Sequence, residues 1–120
     1  MVTSAQTTNL PSFVQVKLEE IHSHSAWHAD LTGSEAEALL RNMPDMTYVL
    51  RQGEKVDHFY LTYVKEETLF VHIPFTIDSS TEEWFYRNSC PHFASQLSVF
   101  IPEIMHQEVS GCFPLTPFGN

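Results

Sequence analysis

The best-marked periodicity in the chain lies in LTGSEAEALLRNMP, where Ala36, Leu39, Leu40 and Met43 recur at i, i+3, i+4 and i+7. That spacing draws one apolar stripe along an amphipathic helix. Thr32 precedes the stripe and Glu35 follows it by three residues, the pairing that satisfies helix-start amides reciprocally, while Pro44 closes the run. A helix is therefore expected over residues 33–42. Three strand-like runs follow at 47–51, 58–65 and 68–75, crowded with aromatic and β-branched residues such as Tyr48, Val49, Phe59, Tyr63, Val64, Phe70 and Val71. The intervening segments, 52–57 and 66–67, are too short for anything but antiparallel connections.

Farther along, residues 84–88 (WFYRN) read as a small strand. Ser89 to Pro91 read as a helix start with proline in the first turn, and Phe93, Leu97, Phe100 and Ile101 supply a second helical stripe. Pro102 would clash with the preceding turn, so that helix is expected to kink or restart there. Residues 13–21 fit two readings: Val14, Val16 and Leu18 alternate as in a strand, whereas Phe13, Lys17 and Glu20 suit a short helix. The tail from Ser110 returns to loop or short strand. The order helix, antiparallel sheet, helix predicts an α+β fold, a central antiparallel β-sheet flanked by two α-helices. Residues 1–24 are expected to be a flexible or weakly structured N-terminal extension, and 25–120 the compact domain.

Composition narrows the functional classes. The chain has 120 residues, with 15 carboxylates against 6 Lys and Arg, for a net charge of −9. No basic run offsets that charge, which argues against nucleic acid as a partner. The opening MVTSAQTTNL lacks the basic start and apolar block of a secretory signal, and no apolar run reaches membrane-spanning length. A soluble, cytoplasmic protein without membrane insertion is expected. Cys90 and Cys112, with no Cys-x-x-Cys spacing, suit reduced thiols, although a single disulfide stays open. Nothing calls for a cofactor.

The most informative oddity is Arg51, which ends the run Thr47-Tyr48-Val49-Leu50 and shares a sheet face with Val49 by two-residue alternation. A half-buried guanidinium needs an acid, an anionic ligand, or an exit to solvent. The loop after it, Gln52-Gly53-Glu54-Lys55, has the glycine and the amides of an anion-binding nest. His72 interrupts the apolar run Leu69-Phe70-Val71-His72-Ile73. An antiparallel meander would let Arg51 and His72 face one concavity near the helix at 33–42.

These residues resemble a Src-homology-2 domain, a phosphotyrosine-binding module, over about residues 25–118. Trp27, Leu31, Thr32, Glu35, Ala36, Glu37, Leu39 and Leu40 are similar to the family's opening, and Met46 to Arg51 resembles its Gly-Thr-Phe-Leu-Val-Arg strand. The resemblance extends through Phe59 to Val64 and Val71-His72-Ile73, to Phe93 opening the second helix and to Gly111-Cys112-Phe113-Pro114-Leu115 at the close. It implies that Arg51 grips the phosphate. Gln52, Gly53, Glu54 and Lys55 would add loop contacts, Tyr60, Thr62 and His72 would complete the phosphotyrosine pocket, and Ile73 would help to set peptide preference. Tyrosine-phosphorylated proteins are the implied partners, in a recruitment or adaptor role in signalling or as an intracellular bacterial effector in a host cytosol.

Three departures stand out from the family pattern. Gly33 takes the position of a first-helix arginine, Pro74 stands two residues after His72 where a cation is common, and the Ser or Thr after the phosphate-binding arginine is missing. They motivate an alternative, a module of this architecture that has lost phosphotyrosine binding. A further rival is a metal site built from His22, His24 and His28, because seven histidines are many for this length. A Cys90–His92 nucleophile is disfavoured, since the sequence offers no evident third group to orient the histidine.

Overall fold

The computed structural model describes residues 10–66, 69–107 and 111–115. Helix α1 (Ser12–His22) and helix α2 (Gly33–Leu40) precede a sheet of β1 (Thr47–Gln52), β2 (His58–Lys65), β3 (Leu69–Asp78), β4 (Glu83–Arg87) and β5 (Pro91–Ala94). Helix α3 (Leu97–Met105) and the short β6 (Phe113–Pro114) complete the order. The six strands lie as β5-β4-β3-β2-β1-β6, antiparallel except that β6 runs parallel to β1. The expected α+β architecture is therefore present, with a strand and a helix beyond those anticipated. Thr68, Glu67, Ser110 and residues 116–120, which carry parts of the expected β2–β3 turn and tail, lie outside the described residues.

Two-residue alternation sorts the sheet into two faces, each under helices. On one face Tyr48, Leu50, Phe59, Leu61, Tyr63, Phe75, Ile77, Trp84 and Tyr86 pack against Val14 and Ile21 of α1 and Leu97, Phe100, Ile101, Ile104 and Met105 of α3. The aromatic centre is tight, with Phe59–Trp84 centroids 5.7 Å apart and Phe75–Phe100 5.5 Å. On the other face Val49 and Val64 meet Ala36 and Leu40 of α2. Helix α2 begins with the expected capping box: Thr32 Oγ1 accepts from the Glu35 amide at 3.2 Å, and Glu35 Oε1 accepts from the Thr32 amide at 2.9 Å. It ends two residues short of 42, because Arg41 turns extended and Asn42 adopts a left-handed φ of 70°.

Four sequence expectations are corrected. Residues 12–22, inside the stretch foreseen as weakly structured, form a helix whose Val14, Lys17 and Ile21 are buried. Glu20 on α1 accepts from Trp84 Nε1 at 3.0 Å with one oxygen and caps the Leu97 amide at the start of α3 with the other. Secondly, Ser89 to Pro91 do not start a helix, and Phe93 does not open one. Phe93 lies opposite Phe85 and His92 opposite Tyr86 in the β4–β5 pair, where cross-strand ring contacts at 5.0 and 4.8 Å favour a hairpin. Thirdly, α3 passes through Pro102 as one element. The carbonyl orphaned one turn earlier belongs to the exposed Ser98, which solvent can satisfy. Lastly, β3 runs on to Asp78 past Pro74. β4 pairs only with Thr76–Asp78, so the proline falls where β3 is a sheet edge, a position at which a strand tolerates it.

Candidate functional site

The antiparallel β1–β2 register places Arg51 directly opposite Tyr60, and the β2–β3 register places Thr62 opposite His72. All four side chains belong to the α2 face, as alternation from Val49 requires. Arg51 is 8% exposed. Its Nε donates to Thr62 Oγ1 at 3.2 Å, its Nη2 donates to His72 Nδ1 at 3.1 Å, and its guanidinium carbon lies 4.6 Å from the Tyr60 ring centroid. Burial pulls the guanidinium down from its ordinary range, and nearby Tyr60, Glu37 and Glu54 oppose that shift.

Among the described residues no carboxylate forms an ion pair with Arg51. Nη1 has no acceptor among the described residues, yet it is not among the side-chain atoms sealed from solvent without a partner. The buried cation thus keeps donors in reserve at an accessible edge, which is the condition for gripping an external anion. Thr62 is fully buried and acts from beneath, fixing the plane of the guanidinium by accepting from Nε.

Gly33 supplies the roof. A Cβ built there would stand 3.4 Å from Arg51 Nη2 and 3.7 Å from His72 Cε1, so position 33 looks straight onto the pair. The absence of a side chain at this position leaves the start of α2 pressed close to the guanidinium. One turn later comes Glu37, which the sequence offered only as part of a helix motif. Its Oε2 lies 2.7 Å from His72 Nε2. Because Arg51 is always a donor, His72 Nδ1 must accept; the proton of the neutral ring therefore sits on Nε2 and is donated to Glu37. The result is a relay from Arg51 through His72 to a carboxylate that is about two-fifths exposed.

The loop after β1 is braced by its own side chain. Gln52 Nε2 donates to the carbonyls of Lys55 and His58, and the Gly53 amide bonds His58 O at 2.8 Å. Glycine is required at 53, where a Cβ would come within 2.8 Å of the His58 carbonyl oxygen. Gln52 and Gly53 are thereby committed to loop shape. The amides of Glu54 and Lys55 make no backbone bond among the described residues, and Lys55 is exposed. Glu54 accepts a long bond from the Tyr60 hydroxyl at 3.4 Å.

Across the free edge of β3, and reaching back to His72, lies a concavity of about 320 Å³, lined by His72, Ile73, Pro74, Tyr86, Arg87 and Asn88 among others. It exists because β4 leaves β3 unpaired before Thr76 while α3 covers the sheet behind it. The histidines of the sequence-level metal site go to separate structural tasks: His22 packs on Trp27, His24 Nδ1 accepts from the Ala26 amide, and His28 Nε2 bonds Leu115 O. Among the described residues no three His, Cys, Asp or Glu side chains gather as a metal set, and no helix is long and apolar enough to cross a membrane.

No family model matches the sequence, and no curated protein does. The fold itself has solved counterparts. One is the solution NMR structure of the SH2 domain of a CRK/CRKL homologue from Monosiga brevicollis, with a TM-score of 0.58 at 18% identity, covering 82% of this chain and 89% of that one. The chain is thus an SH2-like domain in its architecture.

Proposed function

We propose that the protein binds tyrosine-phosphorylated peptides as a recruitment module, with Arg51 at the floor of the phosphotyrosine pocket. The observation that carries this reading is the placement of a buried guanidinium, free of any carboxylate ion pair among the described residues, with donors left over beneath the side-chain-less start of α2. A phosphotyrosine arm is long enough to reach it and carries about −1.5 to −2 charges at neutral pH. Arg51 takes phosphate oxygens in a bidentate grip, Lys55 and the Glu54 and Lys55 amides serve the loop side, and Tyr60 and His72 flank the ring. The peptide then crosses the open edge of β3 to the concavity beside Ile73, which favours apolar residues. The net charge of −9 favours peptides with neutral or basic flanks. The same chemistry serves a cytosolic signalling adaptor or a bacterial effector acting inside a host.

The test is a calorimetric titration with one peptide in three forms: tyrosine, phosphotyrosine and phosphoserine. Only the phosphotyrosine form should bind; equal binding of the unphosphorylated form would overturn the reading in favour of a module that ignores the phosphate. Glu37 sharpens the test. Its carboxylate holds His72 beside the site an incoming anion must enter, so like-charge repulsion works against the ligand. Glu37→Gln keeps an acceptor for His72 Nε2 while removing the charge, and should tighten phosphopeptide binding by about fivefold at low salt, less at high salt. Weaker binding in this variant would show that the carboxylate assists the ligand.

A further inference from the structure

The turn from β4 into β5 assembles three groups that phosphopeptide recognition leaves unused. Cys90 is exposed and in no disulfide, and its Sγ lies 3.7 Å from His92 Nε2. His92 Nδ1 lies 3.3 Å from Glu103 Oε2 on α3. The imidazole also stacks on Tyr86, with centroids 4.8 Å apart and planes at 20°. The ring is therefore held from one face and from one nitrogen. Since Glu103 is an acceptor, the neutral ring carries its proton on Nδ1, and the Nε2 lone pair faces the thiol. Cys90 sits in the bend just before β5 and His92 is the strand's second residue, and the two side chains meet at the start of the strand. The orienting group absent from the local sequence is supplied by a helix eleven residues on.

We propose that Cys90 is a modification site, forming a mixed disulfide with low-molecular-weight disulfides such as glutathione disulfide. His92 Nε2 takes the thiol proton and Glu103 holds the resulting imidazolium; the Cys90 sulfur attacks one sulfur of the disulfide. The Cys90–S bond to the small thiol forms as the original S–S bond breaks, and the departing thiolate leaves as a thiol after recovering the proton from His92. One thiol and one disulfide are consumed, and one mixed disulfide and one thiol are produced. Arg87 at the end of β4 and Asn88 on the turn line the concavity beside Ile73, and the Asn88 amide bonds Cys90 O, so the adduct stands at the rim of that groove.

The experiment treats the full chain with glutathione disulfide and follows the adduct by intact mass and peptide mapping. Cys112 is an internal comparison, because it is part-buried and burial pushes its thiol up. Cys90 should react about tenfold faster in the folded protein than in the urea-unfolded chain, and ahead of Cys112. His92→Phe keeps a ring to stack on Tyr86 but removes the base, and should bring the rate down to the unfolded value. Glu103→Gln, at a surface position, should slow it several-fold and serves alone should the first variant fail to fold. A folded rate no greater than the unfolded one, or a rate indifferent to these variants, overturns the proposal.

Discussion

Arg51→Ala should abolish measurable phosphopeptide binding while leaving the fold intact. The loss expected is on the order of 2–4 kcal/mol, about 30- to 1000-fold in affinity, because the phosphate would enter a partly desolvated site with its main counter-charge gone. The fold should survive because Arg51 is bound to Thr62 and His72 and carries none of the apolar core. Arg51→Lys should recover only part of the affinity, since an ammonium cannot reproduce the planar fork or reach Thr62 and the phosphate together. Calorimetry reads both, with circular dichroism as the check on folding. Undiminished affinity in Arg51→Ala would place the phosphate elsewhere.

Removal of residues 1–24 should destabilise the domain severely, contrary to what their sequence suggests. The cut takes out Ile21 and Val14 from the main core, each worth about 1.5–3 kcal/mol of burial. It also strips the Glu20 carboxylate from Trp84 Nε1 and from the Leu97 amide, and the Lys17 Nζ bond to Ser95 O, leaving buried donors and acceptors to solvent or to nothing. The total, about 5 kcal/mol or more, rivals the whole stability of a small domain. Thermal unfolding should lose its cooperative transition or shift down by about 15 °C or more. A melting curve within a few degrees of the full chain would show that α1 is an ornament on a self-sufficient core.

The contrast between legible and illegible elements has a physical pattern. Helix α2 and strands β1 to β3 are visible locally, because the capping box, the period-four stripe and the crowd of β-branched and aromatic residues are properties of adjacent residues. The burial of Arg51 is visible for the same reason, by alternation from Val49. Helix α1 resists reading because its buried positions are Val14, Lys17 and Ile21, so a lysine interrupts the apolar stripe. That lysine is satisfied by a carbonyl 78 residues away and by the Trp84 ring at 5.3 Å. The start of α3 is equally hidden: its first amide is capped by Glu20, 77 residues earlier, and Pro91 mimics a helix start that the β4–β5 ring pairs override.

The candidate site divides along the same line. Arg51, Tyr60 and His72 are found because two-residue alternation and a hairpin register bring them together. The partners that change its chemistry come from nonlocal packing. Glu37 meets His72 across 35 residues, and the closeness of Gly33 to Arg51 and His72 arises only once α2 is laid over the sheet. Thr62 looks like a pocket wall in sequence but lies beneath the guanidinium as a positioning group. In the same way the Cys90–His92 pair looks inert until α3 folds back with Glu103.

The Arg51 guanidinium can itself be observed. In protein labelled with ¹⁵N-arginine, the Nε–Hε resonance of Arg51, assigned by its loss in Arg51→Lys, is followed while a phosphotyrosine peptide is added. Capture of the phosphate by Arg51 predicts a large, saturable shift of that resonance, absent with the unphosphorylated peptide, together with a shift of the peptide's ³¹P signal. A ³¹P shift that saturates while the Arg51 resonance stays in place would contradict it.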